Sequence, residues 1–220
     1  MSSIIIEKIS KSFKNKEIYA DFSLTLEGQQ VHAIVGPNGS GKTTLLRIIT
    51  GLYEIDGGRV DVQGSHAMLL ENDYLYEDKT GLENIRLFGL YFAYEPVHLE
   101  EYAGLLNMTK DLDRKVSTYS KGMKRKLTLL IVIMMNRDIL FLDEVTSGVD
   151  PISRVEIRKL IALLKNEGKM IVITSHDLGE IEKVADTVTM IQDGKLIFHQ
   201  TISALHGRSL EELFIERGRK

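Results

Sequence analysis

Residues 36–43 read Gly-Pro-Asn-Gly-Ser-Gly-Lys-Thr and match the pattern G-x-x-x-x-G-K-[ST]. They follow an apolar stretch, residues 31–35, and they precede residues 43–50, which contain no helix breaker and are followed by Gly51. Glycine at such positions lets backbone N–H groups surround a phosphate, because a Cβ atom would block the close approach. The segment therefore predicts a phosphate-binding loop between a strand and a helix.

Two side chains at the end of this loop have the chemistry that a nucleotide requires. Lys42 can reach the β- and γ-phosphates, and the hydroxyl of Thr43 can ligate Mg²⁺. The N-terminus of the predicted helix adds a partial positive charge beside the same phosphates. A phosphate loop identifies only a nucleotide site, so other residues must decide the class of protein.

Two carboxylates follow a continuous apolar run at residues 139–142. Asp143 and Glu144 would lie at the carboxyl end of a buried strand, where ligands collect in open α/β sheets. Asp143 is suited to hold Mg²⁺ directly or through water, and Glu144 to polarise an attacking water. Alone, such a pair indicates only a solvated strand end. Beside the phosphate loop it indicates a nucleotide-hydrolysing site.

The composition excludes several other classes of protein. The chain has 220 residues, 43% of them apolar and 27% charged, which is typical of one substantial globular domain. Its net charge of −3 argues against a general nucleic-acid binder, so we expect no nucleic-acid partner. The absence of cysteine excludes disulfides, thiolate nucleophiles and iron–sulfur clusters. The longest nearly apolar run, residues 127–135, is too short to span a bilayer.

Alternating strand and helix patterns predict an α/β fold. Further strands are predicted at residues 4–9, 22–26, 60–62, 67–70 and 170–174. Helical spacing occurs at residues 80–92, 98–106, 121–135 and 178–185, and another helix is predicted to begin after Pro151. Residues 187–191 and 196–199 predict a hairpin. We therefore expect a parallel sheet covered by helices on both faces, with a helical middle third inserted as a lobe.

Four further features, taken in order, resemble the nucleotide-binding subunit of an ATP-binding cassette (ABC) transporter, and the resemblance covers nearly the whole chain. Residues 147–150, which end at Asp150, resemble the D-loop of that family, and His176 resembles its switch histidine. Residues 119–123 occupy the place of the signature loop, and Phe13 falls where the family has an aromatic residue that stacks on adenine. Each feature alone has an ordinary structural interpretation, but their order and placement together are specific.

The resemblance implies a P-loop NTPase (RecA-like) core with a mainly parallel sheet, an N-terminal antiparallel β part and an inserted α-helical lobe. It implies one domain over residues 1–220, with the lobe at approximately 72–135. It assigns catalysis to Glu144, His176 and Lys42, and Mg²⁺ ligation to Thr43, Asp143 and Glu71. ATP contact is assigned to Phe13, Gly36, Asn38, Gly39, Ser40, Gly41, Lys42, Thr43 and Thr44.

The resemblance also implies partners. Two such subunits, expected here to be identical, associate head to tail, so that each ATP lies between the phosphate loop of one and the signature loop of the other. The signature residues are Ser120, Lys121, Gly122 and Met123. Transmembrane permease subunits would hold the pair at the cytoplasmic face of the cell membrane. The separate ATPase chain and the Tyr-Ser-Lys-Gly-Met signature resemble exporters more than importers.

Some positions depart from the family pattern. Lys121 and Met123 replace the more usual Gly and Gln, and Glu71 falls where the family has a Gln that touches Mg²⁺ or water. A carboxylate there would ligate Mg²⁺ but would add negative charge beside the triphosphate. The alternative is that Glu71 is a solvated loop acid and the register is off by one residue. The basic residues 124–126 indicate a solvated helix face, or otherwise a contact to phosphate or to a membrane partner.

Two other functions stay open at this point. One is an ABC ATPase that acts on a soluble or nucleic-acid partner, although such proteins usually have two cassettes or a long coiled-coil insertion. The other is an ATP-dependent dimerisation module that hydrolyses ATP poorly, which Glu71 and Lys121 would favour and Glu144 disfavours. A P-loop GTPase is disfavoured, because the chain has no N-K-x-D guanine-reading element and its carboxylates follow the cassette pattern.

Overall fold

A computed structural model describes residues 2–14, 16–70, 72–205 and 207–218. In chain order its strands are β1 (Ser3–Phe13), β2 (Lys16–Glu27), β3 (Val31–Val35), β4 (Gly57–Gln63), β5 (His66–Leu69), β6 (Ile139–Asp143), β7 (Met170–Ser175), β8 (Thr187–Gln192) and β9 (Lys195–Thr201). Its α-helices are α1 (Lys42–Ile49), α2 (Gly81–Phe92), α3 (Leu99–Leu105), α4 (Lys121–Met134), α5 (Pro151–Asn166), α6 (Leu178–Ile181) and α7 (Leu210–Gly218).

A six-stranded sheet forms the centre of the molecule, in the order β5-β6-β7-β3-β8-β9. All neighbouring pairs are parallel except β8–β9, which forms the predicted antiparallel hairpin. Every residue of β3, β6 and β7 is buried, which explains their continuous apolar sequences, because a parallel sheet is covered on both faces. The carboxyl ends of these three strands therefore meet at one edge, and the chemistry-bearing residues follow them there.

A second sheet confirms the expected antiparallel β part near the N-terminus. Its order is β2-β1-β4, and both pairings are antiparallel. Buried Ile4, Ile6 and Ile9 of β1 pack in one hydrophobic cluster with Leu45 and Leu46 of α1. This packing fixes the antiparallel sheet against the helix that begins at the phosphate loop.

Helices dominate the segment between β5 and β6, within the range predicted for the inserted lobe. A capping box begins α2, because Glu83 N–H donates to Thr80 Oγ1 (3.1 Å) and Thr80 N–H donates to Glu83 Oε2 (2.7 Å). At the start of α4, Met123 N–H donates to Ser120 Oγ (3.2 Å). Among the described residues, every helix is too short or too polar to cross a lipid bilayer.

The predicted solvated face at residues 124–126 is wrong for two of its three members. Arg125 and Lys126 are only 4% and 6% exposed. Lys126 forms an ion pair with Glu156 of α5, and Arg125 Nη1 lies 3.3 Å from Asp73 Oδ1. A buried cation needs such partners, and those partners come from distant parts of the chain. Two of the three cations therefore join helices and loops together.

The helix predicted at residues 178–185 is also shorter than expected. It ends at Ile181, and the next residues form turns in which Lys183 N–H donates to Glu180 O (3.2 Å) and Val184 N–H donates to Ile181 O (3.1 Å). These tighter i to i+3 bonds turn the chain toward β8. Asp186 N–H then donates to Val31 O (2.8 Å), which anchors the turn beside β3.

His32 is a buried histidine of the central sheet. It is 2% exposed, and its Nδ1 lies 2.8 Å from Thr187 Oγ1 on β8. Burial lowers the pKa of His32 from 6.5 to about 4. The charge of His199 lowers this pKa further, whereas the Glu27 backbone and the Asp186 carboxylate oppose the shift. His32 is therefore neutral in the folded chain near neutral pH.

We expect the stability conferred by neutral His32 to be present above pH 6.5 and to be lost as the pH falls toward 4, since the unfolded chain takes up the proton first. Denaturant unfolding at a series of pH values should show that His32→Gln removes up to about 3 kcal/mol of this pH dependence. His66→Gln, at an exposed histidine of β5, is the control. Parallel pH curves for the wild type and His32→Gln would contradict the assignment.

Candidate nucleotide-binding site

The site lies at the carboxyl edge of the central sheet. The phosphate loop follows β3, Asp143 is the last residue of β6, Glu144 comes directly after it, and His176 follows β7. Since β6, β7 and β3 are adjacent, residues far apart in sequence meet around one cleft of about 580 Å³. The cleft is lined by Lys16, Ile18, Asn38, Gly39, Gly41, Lys42, Thr43, Thr44, Glu144, Ser147 and His176.

Close packing explains two glycines of the phosphate loop. A Cβ on Gly36 would lie 2.1 Å from the carbonyl oxygen of Ile191. Gly41, at φ +107°, begins α1, and a Cβ there would lie 2.6 Å from the hydroxyl of Tyr19. The loop is therefore pressed between α1, β2 and the end of β8. Only glycine allows its backbone both this conformation and this approach.

Lys42 lies inside the loop, where it is only 7% exposed. Its Nζ donates to the carbonyl oxygens of Gly36 (2.9 Å) and Pro37 (3.1 Å). Burial lowers the pKa of Lys42, and the nearby Glu144 and Asp143 carboxylates oppose this effect. A phosphate in the loop would offer the ammonium a charged acceptor in place of two neutral carbonyls, which are weaker partners.

The geometry at Asp143 fits a bound Mg²⁺. Its Oδ1 accepts hydrogen bonds from Thr43 (3.2 Å) and Thr174 (2.5 Å), and the residue is 1% exposed. Within the described ranges, its Oδ2 has no hydrogen-bond partner, and neither does the buried Ser40 hydroxyl. A buried carboxylate oxygen without a partner is unfavourable unless a cation satisfies it. Glu71, the third expected ligand, lies outside the described residues.

Glu144 and His176 form a pair at the same edge of the sheet. His176 Nδ1 lies 3.1 and 3.0 Å from the two carboxylate oxygens of Glu144. Glu144 has a left-handed backbone (φ 49°), and its N–H donates to the carbonyl oxygen (3.2 Å) and hydroxyl (3.0 Å) of Thr174. Such a backbone is strained by about 1–3 kcal/mol, so surrounding contacts must hold it. The pair can orient a water and accept its proton.

The predicted signature residues do not line this cleft. They lie at the start of α4, where they contact the D-loop of the same chain. A Cβ on Gly122 would be 3.3 Å from Asp150 Oδ2, and one on Gly148 would be 2.6 Å from Lys121 Nζ. The signature loop is therefore packed against the D-loop, outside the nucleotide cleft of its own chain.

Asp150 is the N-cap of α5. Its Oδ1 accepts a hydrogen bond from Ser153 N–H (3.0 Å), and this bond lowers the pKa of the carboxyl group. Pro151 follows at the first helical position. Proline has no N–H, and an N–H at this position would have no acceptor within the helix. Contact between the D-loop and a partner chain stays a prediction.

Phe13 does not line the cleft. Its ring is at the end of β1, is 40% exposed, and contacts Tyr53 edge-on with centroids 5.2 Å apart. Stacking of Phe13 on adenine stays a prediction. Lys16 and Ile18 of β2 do line the cleft, and the sequence analysis missed both. Lys16 and Ile18 are two residues apart, so on a strand they point to the same face, and they follow Phe13 closely. This spacing could have indicated that both line the site.

Thr174 is the other site residue that the sequence analysis missed. It pairs with Asp143 across β6 and β7, and its hydroxyl contacts both site carboxylate residues. Its position at the end of a predicted buried strand, two residues before His176, was the signal for it.

We expect Gly41→Ala to lower the free energy of unfolding by about 2–4 kcal/mol, because it combines backbone strain with a clash against Tyr19. Gly39→Ala is the matched control, since Gly39 also has a left-handed backbone (φ +80°) but has nothing within 4 Å of the new Cβ. Gly39→Ala should cost only about 1–2 kcal/mol. Equal losses for the two variants in urea unfolding would show that the Tyr19 contact does not constrain the loop.

Comparison with known proteins identifies the family of this chain. The profile of the ABC transporter family matches residues 19–147, which is more than half of the chain. The lantibiotic transport ATP-binding protein SrtF of Streptococcus pyogenes is 31% identical over 221 residues, covering 95% of this chain and 94% of SrtF. The Nod factor export ATP-binding protein I of Burkholderia lata is 33% identical over 216 residues, covering 90% of this chain and 70% of that protein.

Solved structures show the same fold. The ATP-binding subunit of an ABC transporter superposes with a TM-score of 0.87, at 22% identity, over 98% of this chain and 99% of the other. This similarity confirms the α/β architecture with its mainly parallel sheet, its antiparallel β part and its helices. The chain belongs to the ABC transporter family, as an ATP-binding subunit of its transport ATPases.

Proposed function

We propose that this chain hydrolyses MgATP and thereby powers export through a separate transmembrane subunit. The proposal rests on one observation, which is that three groups of side chains and backbone lie at one cleft. These groups are the phosphate loop with Lys42, the Thr43–Asp143 pair, and the Glu144–His176 pair. Together they provide a phosphate cradle, oxygen ligands for a divalent cation and a base for water.

In this proposal the loop amides and Lys42 bind the phosphates, and Thr43 and Asp143 hold Mg²⁺. Mg²⁺ held there would neutralise charge on the phosphates. Glu144 orients a water whose oxygen forms a bond to the γ-phosphorus, while the bond from that phosphorus to the β–γ bridging oxygen breaks. The proton of the water passes to Glu144, ADP keeps the bridging oxygen, and His176 holds the Glu144 carboxylate in place.

We propose that a second copy of the chain completes each site. The Lys121 and Gly122 N–H groups precede the hydrogen-bond ladder of α4, and together with the positive end of this helix of 14 residues they favour an anion. These groups do not line the cleft of their own chain. In a head-to-tail dimer, Ser120 and Gly122 would face the γ-phosphate bound by the partner chain.

An exposed apolar surface on the helical segment supports a membrane partner. We call Tyr76, Leu87, Phe88, Leu90 and Tyr91 the aromatic face. They line a groove of about 550 Å³, and Leu90 and Tyr91 are 83% and 81% exposed. Apolar surface of this kind marks contact sites for proteins or lipids. We propose that the transmembrane subunit docks there, which places the chain at the cytoplasmic side of the membrane.

Export is the direction that the relatives favour. SrtF is named for lantibiotic transport and the Burkholderia protein for Nod factor export. Both align with most of this chain, so we propose that it serves the same direction of transport. The transported molecule would be recognised by the membrane subunit.

Glu144→Gln should strongly slow MgATP hydrolysis and prolong an ATP-bound dimer, because an amide orients water but does not accept its proton. Lys42→Ala should lose both hydrolysis and the dimer, since the phosphates lose their buried cation. We expect kcat to fall by about 10²- to 10⁴-fold in Glu144→Gln. Phosphate release and molar mass by light scattering, measured on the same samples, check both variants.

Glu100→Gln, at an exposed residue of α3, is the control for surface charge. Full turnover in Glu144→Gln would refute the role of Glu144 as the base. ATP binding without turnover or dimer formation in the wild type would refute a self-sufficient homodimer.

Leu90→Glu in the aromatic face should prevent co-purification with the transmembrane subunit, because it places a charge in an apolar contact. Leu196→Glu, on β9, is the control, since Leu196 is also exposed but lies outside the aromatic face. ATP turnover of the isolated chain should be unchanged in both variants. Equal loss of the complex in both, or in neither, would contradict docking at this face.

A further inference from the structure

Arg125 is a buried cation one turn after the signature residues. It is 4% exposed, and it lies in α4, the helix that begins with Ser120 and Lys121. A guanidinium is seldom buried to this extent unless its donors are satisfied. Its partners therefore show which parts of the molecule it joins.

The guanidinium of Arg125 contacts two separate segments. Nη1 donates to the carbonyl oxygen of Leu70, just after β5, and lies 3.3 Å from Asp73 Oδ1. Nη2 donates to the carbonyl oxygen of Asp143, at the end of β6. A planar guanidinium presents its donors in a fixed fork, so these acceptors are held in a fixed arrangement relative to α4.

The Asp143 carbonyl belongs to the peptide unit that joins Asp143 to Glu144. The C=O of this peptide unit accepts a hydrogen bond from Arg125. Its N–H, which is the backbone N–H of Glu144, donates to Thr174. The next residue, Glu144, has the strained left-handed backbone (φ 49°). Rotation of this peptide unit would move the Glu144 carboxylate away from His176. The two contacts together therefore fix the direction of the carboxylate.

We propose that Arg125 is a positioning residue for ATP hydrolysis, which orients the Asp143–Glu144 peptide unit according to the position of α4. Arg125 and Glu144 also line one small cavity of about 170 Å³, together with Lys121 and Ser147. If the signature loop and α4 move together, Arg125 would therefore move the peptide unit that precedes Glu144, and the Glu144 carboxylate would shift with it. This inference rests on the proposed hydrolytic function.

Arg125→Met tests this role, with Lys126→Met as the matched control. Both changes remove a buried cation from adjacent positions of α4 and leave a carboxylate, Asp73 or Glu156, without it. For Arg125→Met we expect kcat to fall by about 10- to 100-fold, since a displacement of about 1 Å can cost that much. The KM for MgATP should change less than about threefold, because the phosphate loop is intact.

The control should lose stability but keep its kcat within about threefold of the wild type. Equal loss of kcat in Lys126→Met would overturn the proposal, because the effect would then come from a weakened α4. If Arg125→Met does not fold, the kcat of Arg125→Lys tests the positioning role instead. An ammonium cannot span both carbonyls, so the same fall in kcat is expected, and wild-type kcat would overturn the proposal.

Hydrogen exchange of the Glu144 amide gives a second measurement that does not depend on turnover. We expect faster exchange in Arg125→Met than in Lys126→Met, because only the former releases the Asp143–Glu144 peptide unit. Unchanged exchange would overturn the positioning role even in an active enzyme. A wild-type chain that does not hydrolyse ATP would contradict the proposed function, while the exchange result would still decide the role of Arg125.

Discussion

A negative charge buried at the end of a central strand is the constraint on which the site depends. Asp143 is almost fully enclosed, and only one of its carboxylate oxygens is satisfied by the described residues. The chain supplies two hydroxyl donors, from Thr43 and Thr174, but leaves the second oxygen for a cation. The parallel register puts Thr174 beside Asp143 and satisfies one carboxylate oxygen, so the other oxygen is available to the Mg²⁺ that we propose. The position of Asp143 in the sheet therefore determines which of its two oxygens could bind a cation.

The same edge of the sheet contains several groups that are unfavourable without a ligand. Lys42 is buried against neutral carbonyls, one carboxylate oxygen of Asp143 has no partner among the described residues, and Glu144 has a strained backbone. Each is a local loss of stability that core packing elsewhere must offset. A bound nucleotide with its cation would satisfy the lysine and the aspartate together. Binding energy can therefore drive closure of the site and assembly with a second chain.

The sequence was sufficient to predict those parts of the fold and of the site that depend on interactions between residues close together in the chain. The phosphate loop, the strand before it and the carboxylates after β6 follow from glycine spacing and apolar runs. Burial of Arg125 and Lys126 was not predictable, because it depends on Asp73 and Glu156, which lie 52 and 30 residues away in the sequence. A run of three basic residues looks solvated until its partners are known. Thr174 was missed for the same reason, since its role appears only when β6 and β7 pair.

The signature helix connects the two halves of the proposed cycle. Its first turn is directed away from the cleft of its own chain, toward the D-loop and the surface where a second chain would bind. Its second turn holds the peptide unit that precedes Glu144. If ATP bound by a partner attracts the first turn, the rigid helix carries the displacement to the carboxylate that activates water in its own site. Hydrolysis in one chain would then depend on nucleotide bound by the other, and the coupling would need no contact between the two nucleotides.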